Sequence, residues 1–254
     1  MPLQPLAGIR VVVTRASDQA SSLTQALAEC GADVIEVPTI AIVEPTDGGA
    51  ALQTALGDLA RLDWVVVTSA NGAARVASSL PERGALSTNG VQVAAIGPGT
   101  ASALADHGIV ADLVPERFVA EALLDAFPRP TEGGGVVLVA QAAGARSILA
   151  DGLARAGWEV EVVEAYRTVH PPVAPHRAEL ACGADVVTFT SASAVEGFMA
   201  AIGQRVITGA VVCIGPITAE AARSAGLEVA VVADPHTISG LVDAVVAHVR
   251  VGTA

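Results

Sequence analysis

The amino-acid sequence contains an internal repeat, and this repeat restricts the possible folds more than any other feature of the chain. The segment AECGADVIEV aligns with ARAGWEVEVV 126 residues later, and VVVTS aligns with VTFTS 122 residues later. A third segment, AAIGPGTASALADHG, aligns with VCIGPITAEAARSAG 118 residues later. Residues 9–127 and 135–245 are therefore predicted to be two copies of one unit, with loop insertions that explain the drift in offset.

Within each copy, short runs of β-branched residues alternate with alanine-rich segments of helical period. This alternation is typical of βαβ units, which form a parallel sheet covered by helices on both faces. The predicted strands are Ile9–Thr14, Asp33–Val37, Trp64–Val67, Val91–Ile96, Val136–Ala140, Glu159–Val163, Val186–Phe189, Val211–Ile214 and Glu228–Val232, with a weaker one at Ile109–Leu113. The predicted helices are Gln19–Glu29, Gly72–Ser79, Thr100–Asp106, Ala120–Ala126, Arg146–Arg155, Ala194–Ala201, Thr218–Ser224 and Ser239–Val249. Four of these helices are followed by a glycine that is predicted to end them, namely Gly31, Gly108, Gly157 and Gly226.

Two unusual segments leave the division into lobes open. A simple tandem of the two copies divides near residues 128–135. However, residues 38–45 and 165–172 are extended, bounded by prolines and placed just after the second strand of each copy. If they pair as a two-stranded bridge, the chain leaves one lobe for the other at the first segment and returns at the second. One lobe then consists of residues 1–38 and 171–254, and the other of residues 39–170. The hydrophobic periodicity allows both arrangements.

Composition excludes several classes of function. The chain has 254 residues, a net charge of −12 and only 14 basic residues, which argues against binding to nucleic acid or to an anionic membrane. No apolar run approaches the roughly 18 residues of a membrane span. The N-terminus also lacks the pattern of a signal peptide, so a cytoplasmic protein is expected. The three cysteines, Cys30, Cys182 and Cys213, are far apart and are expected to be buried free thiols.

Motifs for metal or cofactor chemistry are absent from the sequence. The five histidines have no metal-ligand spacing, and no serine lies in a GxSxG motif. The three glycines at 133–135 precede a strand, whereas a dinucleotide-binding loop follows one. The chain contains no lysine, which excludes a Schiff-base mechanism. Neither a metal nor a cofactor is therefore expected.

The predicted binding site lies where strands end and helices begin. In a parallel sheet, ligands bind beyond the carboxyl ends of the strands, where helix N-termini direct their N–H groups towards anions. Four junctions have small hydroxyl, amide or glycine residues at this point: Ser69 and Asn71, Gly97 and Thr100, Ser191 and Ser193, and Gly215 and Thr218. The serines and threonines among these residues have an alternative interpretation as simple N-caps. Four such junctions together favour the binding of one anionic ligand.

Two arginines and the only tyrosine are further candidates. Arg15 follows the first strand, and Arg146 lies in the first predicted helix of the second copy, so either is placed to bind a carboxylate. Both have an alternative interpretation as solvated surface residues. Tyr166 lies in the second bridge segment, where a phenol can donate a proton or hydrogen bond to a leaving hydroxyl. On the residues alone, an amphipathic spacer is the simpler interpretation of Tyr166.

Several motifs in order along the chain resemble those of uroporphyrinogen-III synthases. They are VVTR at 12–15, VTSANG at 67–72, AIGPGTASAL at 95–104, VEAYRTV at 163–169, FTSASAV at 189–195 and IGPITAEAA at 214–222. The resemblance implies an α/β monomer of two similar flavodoxin-like lobes, each a parallel sheet flanked by helices. It also implies a two-stranded antiparallel linker, with the first lobe built from both ends of the chain.

The resemblance also implies an activity and a set of site residues. Members of the family are hydro-lyases of tetrapyrrole, porphyrin and haem biosynthesis, which convert hydroxymethylbilane to uroporphyrinogen III with inversion of ring D and loss of water, without cofactor or metal. Tyr166 matches a tyrosine proposed to assist departure of the hydroxyl, and Thr218 matches a hydroxyl of the substrate cleft. Where many relatives have an Arg-Gly pair, this chain has the segment from Gln141 to Gly144, so that Arg146 is the candidate to take over a carboxylate contact.

Two other functions remain as alternatives. A non-catalytic two-lobed small-molecule binding protein or sensor has the same predicted architecture, and turnover distinguishes it from the synthase. A generic nucleotide-binding enzyme is the other alternative, although the sequence has no phosphate-binding loop motif. A transient contact with the deaminase that precedes the synthase in the pathway is left open by the sequence.

Overall fold

The computed structural model describes residues 4–82 and 84–252. Residues 1–3, 83 and 253–254, which include the outer ends of the predicted lobe ranges 1–38 and 171–254, lie outside the described residues. The chain divides into two compact units. Unit 1 is formed by Met1–Ala41 and Val169–Ala254, and unit 2 by Ile42–Thr168.

Strands and helices alternate along most of the described chain. The strands are β1 (Arg10–Val13), β2 (Asp33–Glu36), β3 (Ala41–Val43), β4 (Trp64–Val67), β5 (Gln92–Ala95), β6 (Val136–Ala142), β7 (Glu159–Val169), β8 (Val186–Phe189), β9 (Ala210–Cys213) and β10 (Val229–Val232). The helices are α1 (Ser17–Glu29), α2 (Ala50–Gly57), α3 (Ala70–Ser79), α4 (Ala85–Thr88), α5 (Pro98–Asp106), α6 (Ala120–Ala126), α7 (Ile148–Arg155), α8 (Pro175–Cys182), α9 (Ala192–Ile202), α10 (Pro216–Ser224) and α11 (Ile238–Gly252). A short 3-10 helix spans Leu59–Arg61.

Unit 1 contains a five-stranded sheet in the order β10-β9-β8-β1-β2, and all of its pairings are parallel. The three valines of β1 are fully buried, as expected for a central parallel strand that is covered on both faces. Helices α1 and α11 pack together over one face, where Leu23, Leu27 and Leu241 form the core. Helices α8, α9 and α10 pack beside one another and cover the other face.

Unit 2 contains a second five-stranded sheet in the order β3-β7-β6-β4-β5, in which β7, β6, β4 and β5 are parallel. Successive residues of β4 point to opposite faces, as the pleat of a strand requires. Val65 and Val67 pack in a core with residues of α2, α3 and α5, whereas Trp64 and Val66 pack in a core with residues of α6 and α7. Helices therefore cover both faces of this sheet as well.

The predicted repeat is present in the topology. The neighbours β9-β8-β1-β2 of unit 1 correspond to β5-β4-β6-β7 of unit 2. The strand register agrees with the repeat as well. Val11 pairs with Val186 in unit 1, and their equivalents at the sequence offsets of 126 and 122, Val137 and Trp64, pair in unit 2. An equivalent hydrogen bond lies at the start of a central strand in both sheets. The Arg10 N–H of β1 donates to an Asp185 carboxylate oxygen at 2.8 Å, and the Val136 N–H of β6 donates to an Asp63 carboxylate oxygen at 2.8 Å. The predicted α/β fold of two similar units is thus confirmed.

Several predicted boundaries need correction. The weak strand predicted at Ile109–Leu113 is wrong, because only Leu113 forms a bridge, to Ala94 of β5. The helix predicted from Arg146 begins at Ile148 instead. Strand β7 extends to Val169 and absorbs much of the second predicted bridge segment. Strand β3 lies beside β7 at the sheet edge, and the antiparallel linker between lobes stays a prediction.

Other local expectations can be compared directly with the structure. The four glycines predicted to end helices have positive φ values of 77° to 102°, which confirms the prediction: Gly31, Gly108, Gly157 and Gly226. Among the three free cysteines, Cys182 and Cys213 are buried, but Cys30 is only partly buried, so the expectation of burial is wrong for that residue. No helix within residues 4–82 and 84–252 is long and apolar enough to cross a membrane.

Candidate binding site at the carboxyl edges of the sheets

The predicted site residues lie at the carboxyl ends of parallel strands, and the structure groups them by unit. Unit 1 places five of them at or just after β1, β8 and β9: Arg15, Ser191, Ser193, Gly215 and Thr218. Unit 2 places eight at or near the ends of β4, β5, β6 and β7: Ser69, Asn71, Gly97, Thr100, Gln141, Gly144, Arg146 and Tyr166. Because the carboxyl ends of parallel strands meet at one edge of a sheet, each set shares an edge.

Ser69 and Ser191 are the N-caps of α3 and α9. The Ser69 hydroxyl accepts from the Gly72 N–H at 3.0 Å, and the Ser191 hydroxyl accepts from the Ala194 N–H at 3.1 Å. The capping interpretation is therefore confirmed for both residues. Ser191 also shares a hydrogen bond of 3.1 Å with the Ser193 hydroxyl. A capping oxygen uses only its acceptor capacity, so the hydroxyl proton of Ser69 is still available to an acceptor.

Helices α5 and α10 begin differently, with a glycine N-cap followed by proline. Gly97 and Gly215 have extended backbones and offer no capping side chain. The proline at the first helical position lacks an N–H, so the next amides, of Gly99 and Ile217, are the first donors of each helix. Neither amide has a hydrogen-bond partner within the part of the chain that the structure describes. Both helix starts therefore present N–H groups to an anion.

Thr100 and Thr218 are equivalent residues in the first turns of these two helices. Each is only 5% exposed. Neither hydroxyl forms a hydrogen bond with any residue in the ranges 4–82 and 84–252. Since no buried side-chain oxygen of the described chain lacks a partner, the small exposed part of each threonine must include its hydroxyl. These two hydroxyls are therefore accessible from the surface at the sheet edge.

The end of β6 and the turn after it carry Gln141, Gly144 and Arg146. Gln141 is 9% exposed and still belongs to the strand, whereas Arg146 is exposed in the turn before α7. Gly144 lies in that turn with φ of +70°. The offset of β1 and β6 makes Gln141, not Arg146, the counterpart of Arg15. The expectation that Arg146 lies in a helix is thus wrong, because its helix starts two residues later.

Tyr166 lies in β7 and is 7% exposed. It belongs to the core of unit 2 that contains Leu52, Leu56 and Leu138. Its carbonyl accepts from the Ala143 N–H at 2.8 Å, which ties the end of β7 to the turn after β6. No described residue forms a hydrogen bond with the phenol hydroxyl. The side chain is therefore fixed by packing, while its O–H is not engaged by any described residue.

Three further side chains at or near the two edges are Arg15, Asn71 and Cys213. Arg15 and Asn71 are partly buried, and both are engaged in interactions. Cys213 ends β9 just before Gly215, and burial raises the pKa of its thiol to about 11, so that it stays protonated at neutral pH. Within the described residues, no three His, Cys, Asp or Glu side chains are grouped so that they could hold a metal.

Sequence reasoning missed two groups of residues near these edges. The first is a buried hydroxyl network in unit 1: the Thr14 hydroxyl donates to the Thr188 carbonyl at 2.9 Å, and the Thr39 hydroxyl donates to the Ala194 carbonyl at 3.0 Å. The second consists of two ring side chains, Phe118 and His236. Phe118 and His236 are 118 residues apart, the same offset as that of the third repeated segment. The repeat could therefore have identified them as equivalent residues.

Comparisons with known proteins identify the family. The family described as uroporphyrinogen-III synthase HemD matches residues 21–243. The uroporphyrinogen-III synthase of Synechococcus elongatus is 31% identical, with 96% of this chain and 97% of that protein covered. The chloroplastic uroporphyrinogen-III synthase of Oryza sativa subsp. japonica is 30% identical, with 86% of this chain and 73% of that protein covered.

Solved structures have the same fold. A mutant uroporphyrinogen III synthase from the extremely thermophilic bacterium Thermus thermophilus aligns with a TM-score of 0.66 at 19% identity, covering 96% of this chain and all of that one. The uroporphyrinogen-III synthetase of Helicobacter pylori aligns with a TM-score of 0.62 at 14% identity, covering 94% of this chain and 99% of that one. Together with the sequence relationships, these findings show that the chain belongs to the uroporphyrinogen-III synthase family.

Proposed function

We propose that this protein is a uroporphyrinogen-III synthase, a hydro-lyase that cyclises hydroxymethylbilane to uroporphyrinogen III with inversion of ring D and loss of water. The observation that carries the proposal is the family relationship along almost the whole chain, with 31% identity to the Synechococcus elongatus synthase over 96% of this chain and 97% of that protein. The carboxyl edges of both sheets support it, because they hold helix N-termini and hydroxyls that suit a substrate with many carboxylates.

Binding of this substrate has to overcome the charge of the protein. A chain of net charge −12 repels a polycarboxylate at long range, so the affinity must come from local donors. We propose that these donors are the amides at the starts of α5 and α10 and the side chains grouped at the two edges. The proposed substrate-binding residues are Arg15, Ser69, Asn71, Gly97, Thr100, Gln141, Gly144, Arg146, Ser191, Ser193, Gly215 and Thr218.

The substrate itself provides most of the reactivity. The pyrrole nitrogen expels the terminal hydroxyl, which leaves with one proton as water and generates an electrophilic azafulvene. Attack by the substituted carbon of ring D forms a spiro intermediate and leads to inversion, whereas attack by the unsubstituted carbon gives the uninverted isomer. The task of the enzyme is therefore to hold the bilane in the geometry for the first attack. Tyr166 is the proposed donor to the departing hydroxyl.

The proposal is tested by separating the two product isomers. Freshly generated hydroxymethylbilane is incubated with the purified protein, the product is oxidised, and uroporphyrins I and III are separated by chromatography. We expect isomer III to predominate, since only an enzyme that controls ring closure forms it. Isomer I alone, in the amount formed without protein, would contradict the proposal. We further propose that the protein is a monomer whose contact with the preceding deaminase is transient. Light scattering of the purified protein, alone and mixed with that deaminase, tests both points.

A further inference from the structure

Phe118 is an aromatic side chain that the protein leaves exposed at the carboxyl edge of unit 2. The chain has seven aromatic residues, all within the described part, and Phe118 is 60% exposed whereas Phe189 and Phe198 are fully buried. It lies in the loop that leads from the bridge at Leu113 to α6. A ring this accessible adds little to the core, so its position calls for another explanation.

The ring of Phe118 lies directly on the backbone at the start of α5. A Cβ atom placed on Gly97 would lie 3.0 Å from Phe118 Cβ and 3.1 Å from its Cγ. The backbone of Gly97 is extended, a conformation that any residue adopts, so glycine is needed here for the close approach and not for its φ value. The N-terminus of α5 thus has an aromatic ring beside the Gly99 amide, which has no partner among the described residues.

Unit 1 has a ring in the equivalent place. Phe118 and His236 are separated by the same 118 residues as Gly97 and Gly215, and a Cβ placed on Gly215 would lie 3.5 Å from the Cγ of His236. The imidazole is held by a contact of 2.7 Å between its Nδ1 and the Ala233 carbonyl. A planar side chain over the N-cap glycine is therefore a feature of both units, while its chemistry differs between hydrocarbon and imidazole.

Polar groups complete the surroundings of the Phe118 ring. Thr100, in the first turn of the same helix, is nine-tenths buried, and its hydroxyl has no partner among the described residues but reaches the surface. The Gly99 amide is also without a partner in the described chain. Val114 and Val119, on either side of Phe118 in the loop, are each 38% exposed. An apolar, aromatic face thus adjoins donors for an anion.

We infer that Phe118 is a substrate-contacting residue whose ring packs against a pyrrole ring of the bilane, while the Thr100 hydroxyl and the Gly99 amide bind a carboxylate that the same pyrrole carries. A flat ring with acidic side chains matches this pairing of an aromatic wall with a helix N-terminus. The inference rests on the proposed function for the identity of the substrate. It adds a hydrophobic contact to a site that is otherwise built from polar donors.

The test compares substitutions of Phe118 with a control at the opposite end of the same sheet. Val110 is 78% exposed and adjoins the start of β5, so Val110→Ala removes a similarly accessible apolar side chain far from the carboxyl edge. We expect Phe118→Ala to lower kcat/KM for isomer III about tenfold, mainly through a higher KM. Phe118→Trp, which keeps an aromatic face, is expected to retain more of kcat/KM than Phe118→Ala, and Val110→Ala is expected to stay within about twofold of the parent.

A binding measurement makes the inference independent of turnover. Equilibrium dialysis with uroporphyrin III, a stable tetrapyrrole with the same carboxylates, is expected to show about tenfold weaker binding for Phe118→Ala than for the parent or Val110→Ala. Phe118→Leu keeps much of the apolar volume without the aromatic face, so its affinity for uroporphyrin III should lie between those of Phe118→Ala and the parent. Unfolding curves confirm that each variant is folded.

The two proposals fail in different ways. If the parent forms only isomer I, the proposed function is wrong, and the dialysis still decides whether Phe118 contacts a tetrapyrrole. If the parent forms isomer III but Phe118→Ala matches Val110→Ala in both KM and dialysis, the inference about Phe118 is overturned while the function stands.

Discussion

At the scale of single residues, Tyr166 combines tight packing with an unengaged hydroxyl. The side chain is 7% exposed in an apolar core, and no described residue binds its O–H. Replacement by phenylalanine therefore removes a donor without leaving a protein group unpaired. We expect Tyr166→Phe to lower kcat for isomer III about 100-fold with little change in KM, because general acid assistance acts on the leaving hydroxyl. Steady-state kinetics with isomer separation measures this effect.

Stability provides the control for Tyr166→Phe. The substitution keeps the ring and its apolar contacts, so the urea midpoint should be unchanged. An unchanged kcat in a folded variant would contradict the proposed role of the hydroxyl. A loss of kcat accompanied by a lower urea midpoint would assign the phenol a packing role instead.

Cys213 gives a prediction about pH at the same scale. Burial raises the pKa of its thiol from 9.0 to about 11, so the unfolded chain loses this proton at lower pH than the folded protein does. The free energy of unfolding should therefore decrease as the pH rises from about 9 to about 11. Between pH 8 and 10 this one thiol accounts for about 1 kcal/mol.

The variant Cys213→Ala isolates this contribution. It lacks the thiol, so the parent's advantage in unfolding free energy over the variant should shrink by about 1 kcal/mol between pH 8 and pH 10. Urea unfolding of both proteins in the presence of a reductant measures this difference. A difference that stays constant over this interval would show that the thiol of Cys213 is not desolvated in the folded protein.

At the scale of elements, helix α3 depends on its N-cap. Ser69→Ala removes the oxygen that accepts from the Gly72 N–H, and we expect it to lower the free energy of unfolding by about 1 kcal/mol. Ser78 lies in the last turn of the same helix, where its exposed hydroxyl donates to the Arg75 carbonyl at 3.0 Å. Ser78→Ala should change stability by less than about 0.5 kcal/mol. Equal losses from both substitutions, measured by urea unfolding, would contradict the capping role.

The strands were the most predictable elements, because central parallel strands are continuous apolar runs. The predicted and observed bounds of β4 and β8 agree, at Trp64–Val67 and Val186–Phe189. Helices α2, α4 and α8, of four to eight residues, were missed. Short length alone does not explain this, since α6 has only seven residues and was predicted with its observed bounds. The start of α2 had a local signal in Asp47, whose carboxylate accepts from the N–H groups of Ala51 and Gly49, which lowers its pKa.

The candidate site was predictable to the extent that it follows from topology. The residues after parallel strands share an edge in any such sheet, so Ser69 and Gly97 were found from their position alone. The exposure of the Thr100 hydroxyl and the contact of Phe118 with Gly97 depend on packing between segments that are distant in sequence. Gln141 as the counterpart of Arg15 follows from strand register, which a repeat with drifting offsets leaves ambiguous.

At the scale of the whole molecule, the two units have separate sheets and separate cores, and the chain passes between them only near residues 41–42 and 168–169. Both tryptophans lie in unit 2, where Phe127 is 4.8 Å from Trp64 and 5.8 Å from Trp158, ring centre to ring centre. Tryptophan fluorescence therefore reports on unit 2 alone, whereas circular dichroism reports on the helices of both units. Two probes can thus follow the two units separately.

A matched pair of core substitutions tests whether the units also unfold separately. Leu27 in α1 and Leu104 in α5 are both fully buried leucines of helices, one in each unit. Replacement of either by alanine removes about 2–5 kcal/mol of stability from the core in which it lies. If each core is an independent cooperative unit, Leu27→Ala lowers the urea midpoint of part of the circular dichroism signal and leaves the fluorescence midpoint unchanged, while Leu104→Ala lowers the fluorescence midpoint. Equal shifts of the fluorescence midpoint by both substitutions would show instead that the repeated units unfold as one, so that the stability of either depends on the other.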